Sequence, residues 1–154
     1  VTDPHSRPEW YVVEEIPDRR AYSTLRTAVG WSGMREEEAQ GTVSASLFGC
    51  TARMYSPPGM KSEDRSAANG RMSVVGMARV IGDGIYYNTL VDVIVHPEAQ
   101  GIGIGTALVH CIRKKAREYR LKRLILYCDD MTTAEWYHSR FGWQMQNRYV
   151  LIAF

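Results

Sequence analysis

The sequence predicts a mixed α/β (mixed α+β) domain, and three observations point there. Strand-type runs alternate with helix-type periodicity along the chain. Two β-rich runs, residues 74–81 and 85–95, flank Gly82-Asp83-Gly84, a short glycine turn that implies an antiparallel hairpin. A strand ending at Val95, a glycine-rich turn from Gly101 and an amphipathic helix then lead to a buried-type strand at 124–128, the layout of a parallel crossover. With 154 residues the chain is long enough for a sizeable core and short for two, so one domain over 1–154 is expected.

The elements follow in order. Residues 10–16 read as a strand ended by Pro17, and Asp18 is placed to cap a helix whose Tyr22, Leu25 and Val29 share a face before Gly30 stops it. Glu36-Glu37-Glu38 opens a second, shorter helix, and residues 47–55 form a strand. Residues 56–71 shift to Pro, Gly, Ser, Lys, Asp and Asn with almost nothing apolar, which predicts a mobile loop. After the hairpin, Ile104, Leu108, Cys111, Ile112, Ala116 and Tyr119 make the apolar stripe of the long helix, opposite Arg113, Lys114, Arg117 and Arg120. Thr132-Thr133-Ala134-Glu135 reads as a capping box for a last helix closed by Gly142, and 149–154 as a final strand.

Charge and cysteines narrow the function classes. Nineteen Lys and Arg against 17 Asp and Glu give +2, too small an excess for nucleic acid as the main partner. No apolar run is long enough to span a membrane, and the first residues lack a signal-peptide pattern. The three cysteines, Cys50, Cys111 and Cys128, are odd in number and lack CxxC spacing, so they read as buried small hydrophobes rather than a disulfide framework or zinc site. No metal site is expected, and the cysteine usage suggests a reducing, cytoplasmic location.

The chemistry-bearing feature is Gln100-Gly101-Ile102-Gly103-Ile104-Gly105 between a strand and a helix N-terminus. Glycines allow close approach to the backbone, while free N–H groups and the helix dipole favour an anion. The dinucleotide fingerprint fails, because the third glycine position falls on Thr106 or Leu108, and no Gly-Lys-Ser/Thr follows for a P-loop. A Gln-x-x-Gly-x-Gly pattern remains. A second block, Trp136-Tyr137-His138-Ser139-Arg140-Phe141-Gly142-Trp143, stands one helix and one strand downstream.

Together these blocks resemble the GCN5-related N-acetyltransferases, with the element order extending the likeness over most of the chain. The resemblance implies a central mixed, mostly antiparallel sheet that splays where acetyl-CoA binds. It implies a pyrophosphate held by Gly101, Ile102, Gly103, Ile104, Gly105 and Thr106, with Gln100 bracing the turn. Val93, Ile94 and Val95 would line the pantetheine arm, and the Val93 N–H would face the thioester oxygen. Tyr137 matches the general acid, a phenol whose ordinary pKa of about 10 lies near that of a thiol. It also shares a helix face with Ala134 and Phe141, so packing is a second role. Asp130 is the candidate base, directly or through water, and an equally good helix cap. Thr89 and Val91, on the strand face where many family members carry a base, cannot serve as one. Asp92 is expected to face away from the cofactor.

By the same resemblance the acceptor pocket comes from the first two helices and the strands beside the splay. Trp31, following the helix-stopping Gly30, is placed either as an aromatic wall for an apolar amine or as a cover for the core edge. The expected function is direct transfer of acetyl from acetyl-CoA to a primary amine, in the manner of the small-molecule or arylalkylamine-type branch. Protein or peptide acetylation, and a non-catalytic acyl-CoA sensor on the same fold, remain alternatives. A homodimer is compatible with the family; nucleic-acid and membrane partners are not expected.

Overall fold

The computed structural model describes residues 10–55 and 72–146. Four strands, β1 (Trp10–Val13), β2 (Phe48–Tyr55), β3 (Met72–Gly82) and β4 (Asn88–Val95), form an antiparallel sheet in the order β1-β2-β3-β4. Helices α1 (Arg19–Ala28) and α2 (Glu36–Ser44) connect β1 to β2, and α3 (Ile104–Glu118) and α4 (Met131–Phe141) follow β4. β2 and β3 are central strands covered on both faces, which is why they read as continuous apolar runs rather than alternating ones.

The sheet separates two cores. On one face Tyr22 and Leu25 of α1 and Ala39 and Val43 of α2 pack on Met77 and Ile94. On the other, Ile104, Leu108, Val109 and Ile112 of α3 pack on Cys50, Ala52, Val75, Ala78 and Leu90, with Tyr137 and Phe141 of α4 closing the cluster. The apolar spacing read for α1, α3 and α4 reappears in these contacts, and each fully buried aliphatic side chain is worth roughly 1.5–3 kcal/mol. Gly76 sets how closely α3 approaches: a Cβ there would lie 3.1 Å from both Ile104 Cγ2 and Leu108 Cδ1.

Several expectations change. The hairpin connection is longer than a glycine turn, because the Asp83 carboxylate accepts from the N–H groups of Ile85, Tyr86 and Tyr87 and organises a five-residue loop. The strand expected at 124–128 reduces to one parallel bridge, Thr89 with Ile125, in which Leu90 N–H donates to Ile125 O and Ile125 N–H to Asn88 O. The cap of α4 is Asp130, not Thr132; its carboxylate accepts from Thr133 N–H and Oγ1, a stronger acceptor than a hydroxyl. The loop at 56–71 and the strand at 149–154 lie outside the described residues.

The cysteine reading is also corrected. Cys50 of β2 and Cys111 of α3 form a disulfide across the sheet–helix interface, their Cα atoms 6.7 Å apart, and Cys128 is free. Both cysteines sit on the apolar stripes that the sequence showed; stacking α3 on β2 brings the stripes together, which spacing alone does not reveal. Cysteine usage therefore lends no weight to a reducing compartment. Among the described residues no helix is long and apolar enough to cross a membrane, and no cluster of metal-ligating side chains is present.

Candidate active site

The site begins where β4 leaves its neighbours. Beyond the Thr89–Ile125 bridge, β4 makes no further bridge with the following segment among the described residues, so its outer edge opens. His96 N–H donates to Val75 O across the inner edge; by alternation the backbone groups of Val93 and Val95 point outward. The Val95 carbonyl accordingly accepts from Gln100 Nε2 at 2.9 Å, the bracing contact expected of Gln100.

The turn after β4 is shaped by backbone that only glycine adopts readily. Gly101 has φ +79° and Gly103 φ +98°. Gly103 is the N-cap of α3 and no side chain caps that helix, leaving its first-turn N–H groups directed outward as an anion site. Gly105 keeps the approach narrow but open: a Cβ there would lie 3.7 Å from Val95 Cγ2 and 4.0 Å from Trp136 Cη2. These features fit a pyrophosphate. Arg140, which the sequence reading passed over, extends from α4 to within 3.4 Å of Thr106 Oγ1 and places a cation beside the same turn. Its helical spacing from Trp136, over whose ring its guanidinium lies at 5.9 Å, is the signal that could have revealed it.

Tyr137 points into an aromatic enclosure, with ring centroids of Trp136 at 4.8 Å, Trp143 at 5.8 Å and Phe141 at 6.0 Å. It is 7% exposed, and burial, with a smaller contribution from Cys128, pushes its phenol well above the ordinary tyrosine value. Cys128 is raised too, by burial and then by Asp130 and Asp129, which disfavours the thiolate an acyl-cysteine would need. Asp130 is exposed, and its hydrogen bonds from Thr133 hold its carboxyl below the usual aspartate range. His138 Nδ1 meets Trp143 O at 2.8 Å on the outside of α4. Of the basic residues near the α3 C-terminus, Lys114 and Lys115 pair with Glu14.

The opposite side of β4 holds a cluster the sequence did not assemble. β4 bulges opposite Met77–Arg79, and Asp92 there has φ +51°, unusual for a residue with a side chain. As expected, Asp92 turns away from the α3 face. Its Oδ2 accepts from Arg79 Nε at 2.6 Å and its Oδ1 from Arg26 Nη1 at 3.2 Å. Tyr22 and Trp31 flank Arg26, their ring centroids 5.6 and 5.0 Å from its Cζ. Trp31 is thus joined to β4 through Arg26 rather than standing as a separate wall. Two surface clefts, lined by Ile16, Pro17, Asp18, Gln40 and Ser44 and by Arg35, Glu36 and Gly41, lie at the α1–α2 ends and apart from this site.

An open strand edge, a glycine turn and an uncapped helix N-terminus together have the geometry suited to a phosphorylated ligand. A family model described as an acetyltransferase (GNAT) domain matches residues 67–145, about half of the chain, and the chain belongs to that family. An uncharacterized ycf52-like N-acetyltransferase of Prochlorococcus marinus is 30% identical over 73 residues, 47% of this chain and 39% of that protein. Serotonin N-acetyltransferase 2, chloroplastic, of Oryza sativa subsp. japonica is 31% identical over 64 residues, 42% of this chain and 32% of that protein. The matched stretches thus span only about a third to two fifths of those relatives' lengths. The solved structure of the aminoglycoside N-acetyltransferase AAC(6')-Iy in complex with CoA shares the fold, with TM-score 0.68 and 12% identity over 99% of each chain.

Proposed function

We propose that the protein transfers the acetyl group of acetyl-CoA directly to a primary amine of a small molecule. The observation that carries this reading is the open β4 edge running into the Gly101–Gly103 turn and the uncapped start of α3, with the buried Tyr137 alongside. CoA in the structurally similar aminoglycoside acetyltransferase, and the small-amine names of that protein and the rice relative, support it.

In this reading the amides of 101–106 and the Arg140 guanidinium hold the pyrophosphate, and Val93 and Val95 pair with the pantetheine arm while Ile94 packs behind them. Val93 N–H donates to the thioester oxygen as negative charge develops on it. The neutral amine attacks the carbonyl carbon, the C–S bond breaks, and Tyr137 gives its proton to the departing thiolate. Burial keeps Tyr137 protonated across the neutral and mildly alkaline range, so its proton is in place when the thiolate departs. Asp130, committed to Thr133 and low in basicity, is a poor direct base, so water carries the amine proton away.

The test is thiol release from acetyl-CoA across arylalkylamines, polyamines, aminoglycosides, amino acids and Lys-containing peptides, against a no-amine control, with coenzyme binding measured in parallel. Release with one class of small amine is expected. Release with peptides alone would replace the small-molecule acceptor by a protein one, and binding without release from any acceptor would favour a sensor.

A further inference from the structure

The face of β4 that the acceptor would approach carries one more positive charge than its carboxylate balances. Arg79 is the better employed of the two: Nε donates to Asp92 Oδ2 at 2.6 Å, and Nη1 donates to Thr42 O at 3.0 Å and Ser46 Oγ at 2.9 Å. The Nη1 of Arg26 makes two long contacts, 3.2 Å to Asp92 Oδ1 and 3.4 Å to Tyr22 Oη, and its Nε is buried without a partner. Three nearby acids pair elsewhere, Glu15 with Thr51 and Arg53, Glu36 with Arg19 and Glu38 with Arg35.

A guanidinium with a buried, unpaired N–H is costly unless something else completes it. Arg26 is also held ready: Tyr22 and Trp31 flank its guanidinium, the side chain keeps 16% exposure, and Trp31 is 43% exposed beside it. Arginine's planar fork matches a carboxylate. Asp92 immediately precedes Val93, so Arg26 lies beside the bulge to which the acetyl-transfer reading assigns the thioester.

We propose that Arg26, framed by Tyr22 and Trp31, binds a carboxylate on the acceptor, so that the substrate is an amine carrying its own carboxylate, of amino-acid type. This rests on the acetyl-transfer reading for the position of the amine. An acceptor with only an ammonium group meets a cluster of two guanidiniums and one carboxylate, which repels it; a carboxylate a few bonds from the amine reverses the sign of that interaction.

The experiment uses matched pairs that differ by one carboxylate, phenylalanine with phenethylamine and tryptophan with tryptamine. Their binding to the CoA-loaded protein is measured by calorimetry and thiol release is followed with acetyl-CoA. The carboxylated member should bind and react better by about tenfold or more. Arg26→Met should remove that preference with coenzyme affinity retained, and Arg26→Lys should restore part of it. Trp31→Ala, an exposed change that leaves the fold intact, should weaken the carboxylated member selectively. Equal or inverted preference in both pairs, or an Arg26→Met loss that falls equally on both members, would overturn the subsite and leave Arg26 as a support for Asp92. Selective binding without thiol release would uphold the subsite and instead refute acetyl transfer.

Discussion

The two sides of β4 are built from different material. Toward α3 the site is backbone: the outward edge of Val93 and Val95, two glycines at positive φ and an uncapped helix terminus. Toward α1 it is side chain: Asp92, Arg79 and Arg26 drawn from β4, β3 and α1 and enclosed by aromatic rings. A backbone site presents the same donors whatever the neighbouring side chains are, which suits a carrier whose phosphates never vary. A side-chain site changes with single substitutions, which suits a pocket that selects one acceptor among many.

That contrast can be broken at its strongest point first. Arg79→Met removes the main partner of a buried carboxylate and should cost about 3–5 kcal/mol in denaturant unfolding. A loss below ~1 kcal/mol would show that Arg26 alone suffices for Asp92 and that Arg26 is not under-satisfied. Next, reducing the Cys50–Cys111 bond releases α3 from β2 and should cost ~2–4 kcal/mol. Thiol titration of the unreduced, denatured protein should find only the Cys128 sulfhydryl, and finding all three free would remove the bond from the account.

Gly103→Ala probes the backbone side. The new Cβ would lie 3.8 Å from Trp10 Cζ2, an ordinary contact, so the penalty is conformational, about 1–2 kcal/mol at positive φ. If the turn relaxes to avoid it, acetyl-CoA affinity should fall about tenfold, whereas unchanged affinity would detach the turn from the phosphates. The smallest effect is expected at Asp130. Asn is as good a cap, so Asp130→Asn should leave kcat within about twofold; a loss of roughly a hundredfold or more would restore the carboxylate as the base.

The same division governs what the sequence reveals. The glycine turn, the bracing Gln100 and the amphipathic α3 are legible because each is a local pattern whose physics is complete within a dozen residues. Tyr137 is legible as a packed residue through its spacing with Ala134 and Phe141, and as a candidate acid only through the resemblance of the block around it. The Arg26–Asp92–Arg79 cluster is not, because its members lie 13 to 66 positions apart and meet only when α1 packs on the sheet. Asp92 shows the limit: alternation placed it away from the α3 face, but the bulge that gives it φ +51° and aims it at two arginines has no local signature. The disulfide is hidden for the same reason, its cysteines being 61 positions apart on elements that pair only in the tertiary fold.

The central claim, that the buried phenol beside the open edge completes acetyl transfer, is tested most directly by comparing Tyr137→Phe with the parent protein. Acetyl-CoA affinity and the pH profile of amine-dependent thiol release would be measured side by side. The account predicts an unchanged coenzyme Kd, kcat reduced by about 10²–10⁴, and a parent alkaline limb lying above the ordinary tyrosine range because burial raises that pKa. Full turnover in Tyr137→Phe with the alkaline limb intact would contradict it.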